Sequence, residues 1–204
     1  MQIISIHSKH GFEMHIDLDL LTNCVNNDRK AQKKLYELCF RAFMPLCMRY
    51  NANEEDARIA YNNAYMKIIT ALANTELKEL NFIPWAKRIM TNVLIDEYRK
   101  KKNHQNHYVA KETDRELELF ASNTENEAES NFGYANLLQM IAELPEMHAL
   151  VFKLYVMEDM THKEIAEELN LSEGTSKWHL SIARKLLREK LEKIDALTEK
   201  RLVI

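Results

Sequence analysis

Apolar positions recur at three- and four-residue spacings along most of the chain, and strict alternation is confined to its start. In residues 1–17, MQIISIHSKHGFEMHID, Ile4 and Ile6 and then Phe12, Met14 and Ile16 alternate around SKHG. That pattern fits a weak hairpin, an extended arm or a disordered tail. From Leu18 the period becomes helical. Ala31, Leu35, Leu38, Ala42 and Leu46 mark a helix reaching Tyr50, with Pro45 as a candidate kink. NANEED then caps a helix from roughly Glu54 to Ala73, and the loop NTELKELNF follows. Pro84 suits the first turn of the next helix, whose apolar stripe is expected through Trp85, Ile89, Val93 and Leu94. Helical periodicity returns over residues 134–144 and 146–157.

The segment after that return is the densest in local signals. Thr161, His162, Lys163 and Glu164 form a capping box, in which hydroxyl and carboxylate satisfy orphan N–H groups at a helix start. Ile165, Ala166 and Leu169 give this helix one apolar face, Asn170 and Leu171 break it, and Ser172 caps a second helix with Glu173 near its positive end. Short helix, tight turn and longer helix make a helix-turn-helix pattern. At 3.6 residues per turn, Ser176, Leu180, Ala183 and Leu187 of the second helix share a narrow core stripe. Gly174, Lys177, Trp178, Ser181, Lys185 and Arg188 spread over the outward arc. On periodicity alone that arc is either a surface for a DNA major groove or a solvated amphipathic face.

Composition sets the class. Three glycines and three prolines in 204 residues, among long Leu/Lys/Glu/Ala runs, predict a nearly all-α chain. No apolar run approaches a transmembrane length, and the start lacks the pattern of a signal peptide, so membrane insertion is not expected. Cys24, Cys39 and Cys47 form no CxxC pair and suit buried thiols in a reducing cytoplasm.

The formal charge is −3, but its sign is segregated. Arg99, Lys100, Lys101 and Lys102 close one predicted helix, and four consecutive cations exceed what a helix terminus requires. The following stretch carries Glu112, Asp114, Glu116, Glu118, Glu125, Glu127 and Glu129 with little apolar content and reads as a linker. The expected organisation is an arm over 1–17, a helical domain over 18–103, an acidic linker over 104–133 and a second helical domain over 134–204. An acidic total therefore does not exclude nucleic acid as a partner.

Chemistry is harder to find. HExxH, GxGxxG, GxSxG and GxxxxGK[ST] are all absent. His104 and His107 sit in a polar stretch without a third ligand nearby. No catalytic residue, metal, cofactor or small-molecule substrate is expected.

Two motif sets carry a family resemblance over about residues 20–191. LPEMHALVFKLYVMEDMTHKEIAEELNLSEGTSKWHLSIARKLL resembles the fourth conserved region of bacterial RNA polymerase sigma factors of the extracytoplasmic-function (ECF) group, particularly Bacteroidetes members. NDRKAQKKLYELCFRAFMPLCMRY and FIPWAKRIMTNVLIDEYRKKK resemble the second region, with Phe82, Trp85, Arg88-Ile89, Asn92, Asp96 and Arg99 at the family's intervals. The resemblance implies two small helical domains, a region 2 bundle and a region 4 helix-turn-helix, joined by the acidic linker. It implies binding of core RNA polymerase, recognition of minus-ten and minus-thirty-five promoter elements and help in melting the DNA, without covalent chemistry. An anti-sigma factor is a further candidate partner.

Carried over residue by residue, the DNA contacts of the first domain fall on Lys87, Arg88, Asn92, Arg99, Lys100, Lys101 and Lys102. Those of the second fall on Lys163, Ser172, Glu173, Gly174, Thr175, Lys177, Trp178, His179, Ser181, Arg184 and Lys185. Polymerase contacts fall on Glu55, Asp56, Asn62, Asn63, Tyr65 and Lys67.

The chain also departs from the family. The family's clamp-binding helix usually carries an acid-x-x-Gln-Glu series, where this chain has Ile59, Asn62 and Asn63. If those absences weaken core binding, Asn63→Glu should tighten it. Trp178-His179 and Ile182 replace the small and basic residues of relatives, leaving Trp178 to face either a thymine methyl in the groove or an inhibitor. The missing carboxylates also keep open a different reading, a helix-turn-helix regulator that binds duplex DNA without recruiting core polymerase.

Overall fold

The computed structural model describes residues 5–7, 13–108 and 128–202, with side chains over 16–101 and 133–194. The middle of the acidic linker, residues 109–127, lies outside the described residues, as does the SKHG stretch of the arm. The chain divides into two compact units, Met1–Glu118 and Leu119–Ile204. Among the described residues the fold is all-α apart from a small antiparallel hairpin, β1 (Ser5–His7) and β2 (Glu13–His15), paired in the register Ile6 opposite Met14.

The first unit is a bundle of four helices: α1 (Leu18–Val25), α2 (Arg29–Tyr50), α3 (Glu54–Leu72) and α4 (Phe82–Tyr108). Short polar side chains start the first three. Asp17 accepts from the Leu20 N–H, Asp28 from those of Lys30 and Ala31, and Asn53 from that of Asp56. Asn27, at φ 62°, turns the chain between α1 and α2, a conformation that asparagine tolerates better than most residues. Pro45 lies inside α2, which continues unbroken to Tyr50.

Ala57, Ala60 and Ala64 line the buried face of α3 and let neighbouring helices approach closely. Tyr61 and Tyr65 fill the space beside them and donate their hydroxyls to the carbonyls of Tyr36 and Gln32 on α2, both at 2.8 Å. Cys24, Cys39 and Cys47 are buried free thiols in the same core.

Helix α4 departs from the expected stripe. Its core residues are Phe82, Ala86, Met90, Val93 and Leu94, while Trp85 and Ile89 are only partly buried at the edge. Thr91 and Ile95 are buried as well, so neighbours cover α4 over more than one narrow stripe. The helix also runs on to Tyr108, into the stretch assigned to the linker, and the next helix starts at Ala128.

The second unit comprises α5 (Ala128–Ala142), α6 (Glu146–Phe152), α7 (His162–Leu169) and α8 (Glu173–Leu202). Helix α6 ends in a π-helical turn, Lys153–Met157, followed by Asp159 at φ 58°. Ile141, Leu150, Val151 and Leu154 meet Ile165 of α7 and Leu180, Ala183 and Leu187 of α8 in one core.

Candidate nucleic-acid interface

The helix-turn-helix is assembled from caps. At the start of α7 the Glu164 N–H donates to the Thr161 hydroxyl at 3.2 Å, and the Glu164 carboxylate accepts from the Thr161 N–H at 2.9 Å. Asn170 ends α7 in the left-handed conformation, φ 53°, and its N–H returns to the carbonyls of Ala166 and Glu167. Ser172 then accepts from the Thr175 N–H at 3.0 Å and starts α8.

Helix α8 has the phase expected from its sequence. Ser176, Leu180, Ala183 and Leu187 are buried, whereas Glu173, Gly174, Lys177, Trp178, Ser181, Arg184, Lys185 and Arg188 are exposed. Thr175 and His179 are half-buried at the sides of the helix. Lys177 and Lys185 pair along the helix with Glu173 at 3.6 Å and Glu189 at 4.0 Å. Such exposed i,i+4 pairs are worth well under about 1 kcal/mol, so either ammonium can exchange its partner for a phosphate at little cost. Lys177, Ser181, Arg184, Lys185 and Arg188 line one open groove along α8, and Lys163 is exposed on α7.

Two clusters brace this surface, and neither was visible in the helical pattern. On the α7 side, His162 Nδ1 and the fully buried Ser176 hydroxyl share a 2.9 Å hydrogen bond. The His162 ring stacks on Tyr155 at 4.4 Å, and the Arg184 guanidinium lies over the same tyrosine at 5.8 Å. Desolvation, followed by the nearby charges of Lys177 and Arg184, lowers the pKa of His162 below its ordinary value of 6.5. On the α6 side, His148 reaches Trp178 and His179. The two histidine Nδ1 atoms are 2.9 Å apart, and the His148 and Trp178 ring centres 5.3 Å. Trp178 nevertheless remains 55% exposed. A serine on an apolar stripe can signal a buried hydrogen bond, but a partner 31 residues away has no local signature.

In the first unit, Arg88, Asn92 and Arg99 lie along one line of α4, and Lys87 beside it is half-buried. The basic end of this helix is partly shared with carboxylates. Asp96 accepts from Lys67 at 3.4 Å and sits 3.5 Å from Arg99, while Lys101 lies 3.9 Å from Asp56. Lys100 is exposed, and the side chain of Lys102 lies outside the described residues.

The residues expected to face polymerase divide into three groups. Tyr65 must be withdrawn as a surface contact, because it is only 7% exposed and its hydroxyl is bonded to α2. Asn62 accepts from the Tyr36 hydroxyl at 2.9 Å, and Asn63 donates to Glu97 at 3.2 Å, so both amides tie α3 to its neighbours. Glu55, Ile59 and Met66 face outward on the same ridge, with Asp56 and Lys67 at its sides. Ile59 and Met66 are 52% and 62% exposed, so the ridge presents apolar side chains beside Glu55, in line with the missing family carboxylates.

Among the described residues, no cluster of three or more His, Cys, Asp or Glu side chains could hold a metal ion. No helix among them is long and apolar enough to cross a membrane.

Comparison with known proteins bears on both units. Residues 134–187 match the sigma-70 region 4 family. The ECF RNA polymerase sigma factor SigW of Bacillus subtilis (strain 168) is 28% identical over 166 residues, covering 78% of this chain and 83% of that protein. Among solved structures, the sigma factor RpoE co-crystallised with the anti-sigma factor NepR from Bartonella quintana aligns with a TM-score of 0.50 at 16% identity, over 78% of this chain and 96% of that one. CnrH in complex with the cytosolic domain of CnrY aligns with a TM-score of 0.49 at 18% identity, over 87% and 97% of the two chains. The RpoE likeness is one of fold.

Proposed function

We propose that this chain is an ECF sigma factor, which binds core RNA polymerase, brings it to promoters and helps open the DNA. In this reading α8 enters the major groove of the minus-thirty-five element, with Lys163 and the α8 cations on flanking phosphates. Helix α4 and the loop before it take the minus-ten element, where cations hold phosphates and polar or aromatic groups hold unstacked bases. The ridge of α3 meets polymerase through Glu55, Ile59 and Met66. Sigma factors are initiation factors, so the reading needs no catalytic residue, and it places the protein in the cytoplasm with its polymerase. An anti-sigma protein is a natural further partner, since RpoE was crystallised with one.

The observation that carries the proposal is the phase of α8: its apolar stripe is fully buried while Lys177, Trp178, Ser181 and Lys185 stand outward behind two satisfied caps. The test is run-off transcription with purified chain, core polymerase and a promoter template. Promoter-dependent transcripts are expected only when chain and core are both present. Binding to duplex DNA with no transcript and no association with core would overturn the proposal. That outcome would favour the regulator reading, which the engaged Asn62 and Asn63 amides keep in view.

A further inference from the structure

The pair His148–His179 and the indole beside it form a cluster that the helix-turn-helix itself does not explain. His148 belongs to α6, before the motif begins. Its ring centre lies 4.7 Å from that of His179 and 5.3 Å from that of Trp178, and the Trp178 and His179 rings are 4.9 Å apart. Three rings therefore meet at one corner of α8, two from the outer half of the helix and one from outside the motif. Between the two Nδ1 atoms, 2.9 Å apart, one ring must donate and the other accept. This bond sets the two imidazoles facing each other through their Nδ1 edges.

An exposed indole on a helix surface ordinarily samples several rotamers, and ordering it on binding costs free energy. Against the His148 ring that freedom is reduced before any partner arrives. Trp178 keeps more than half of its surface in solvent, so the contact limits its direction without burying it. Preorganisation of this kind acts on which base edge a side chain meets, because a rotated indole would present a different edge to a different base pair.

We propose that His148 is a positioning residue for sequence readout: anchored by its hydrogen bond to His179, it holds Trp178 in the orientation in which α8 meets the bases of the upstream promoter element. This rests on the reading of α8 as the helix that enters the groove. The part of the molecule that sets specificity would then extend one helix beyond the helix-turn-helix.

The experiment uses holoenzyme reconstituted from the full chain and core polymerase, and a pool of promoter duplexes randomised over the upstream element. The bound fraction is sequenced for wild type, Trp178→Ala, His148→Ala and His148→Asn. Trp178→Ala should flatten preference at one or two base pairs by about fivefold or more, the lower range for loss of one good base contact. His148→Ala should flatten the same base pairs, and should add nothing further in the Trp178→Ala background. His148→Asn, whose amide can keep a hydrogen bond to His179 but offers no ring to Trp178, should retain part of the preference.

An unchanged profile in folded His148→Ala protein would overturn the proposal. So would a uniform loss across all sequences, or a loss at base pairs that Trp178→Ala leaves alone. If His148→Ala does not fold, His148→Leu compared with His148→Asn replaces it, and equal profiles for those two overturn the proposal. A wild-type holoenzyme without any upstream preference would instead remove the underlying reading of α8.

Discussion

The outward faces of α8 and α3 are both framed by buried stripes, yet the polar groups at the middle of each face are used differently. On α8, Lys177 and Lys185 pair with Glu173 and Glu189 of the same helix. These contacts hold nothing else together. On α3, Asn62, Asn63 and Lys67 reach across to Tyr36, Glu97 and Asp96 on the flanking helices. Next to those groups Ile59 and Met66 stand outward with Glu55, and the pair Glu54–Arg58 lies further along the helix. A ligand approaching α8 meets exchangeable cations, whereas one approaching the middle of the α3 ridge meets the apolar side chains of Ile59 and Met66. An association through α8 should therefore weaken steeply with salt, and one through α3 much less.

The largest effect that tests this comparison is on stability. Leu180→Ala removes a buried anchor behind the α8 face and should cost about 2–5 kcal/mol, while Ile59→Ala on the exposed ridge should change stability by less than about 0.5 kcal/mol. Urea unfolding measures both, and a comparable loss at Ile59 would mean that the ridge is packed after all. A smaller effect is expected at the helix junction. Asn63→Glu replaces a donor to Glu97 with a second carboxylate, so it should cost about 1 kcal/mol and bring no gain in core binding. This reverses the expectation drawn from the sequence. Titration with core polymerase decides the matter, and a tighter complex would show that position 63 can turn outward.

The smallest effect separates two neighbouring lysines. Lys100→Ala should lower the slope of log affinity against log salt for promoter DNA by about one. Lys101→Ala should lower it less, because that ammonium already lies 3.9 Å from Asp56. Equal changes would indicate that the Asp56 pair opens when DNA binds.

Legibility in the sequence followed how local the physics was. The capping box at Thr161, the caps at Asn53 and Ser172 and the core stripe of α8 depend on residues within a few positions of one another, and the structure has them as read. Helix α4 was misphased because neighbours cover it around more than one stripe, so apolar spacing alone could not rank Trp85 and Ile89 below Ala86 and Met90. Tyr65 was placed on the polymerase face by the family resemblance alone, and its hydroxyl bond to the Gln32 carbonyl, 33 residues away, goes with its burial. The amides of Asn62 and Asn63 and the ring of His148 find partners 26, 34 and 31 residues away, separations at which no periodicity operates.

The three buried thiols have a practical consequence for watching this molecule at work. Burial raises the pKa of Cys24 to about 11 and those of Cys39 and Cys47 to about 12. Alkylating dyes attack the thiolate, and at neutral pH almost none is present at these positions. A cysteine introduced on the outer arc of α8 would have a far larger thiolate fraction and open access. One fluorophore could thus be attached there with the native cysteines left in place, and the movements of α8 followed in an otherwise unaltered core.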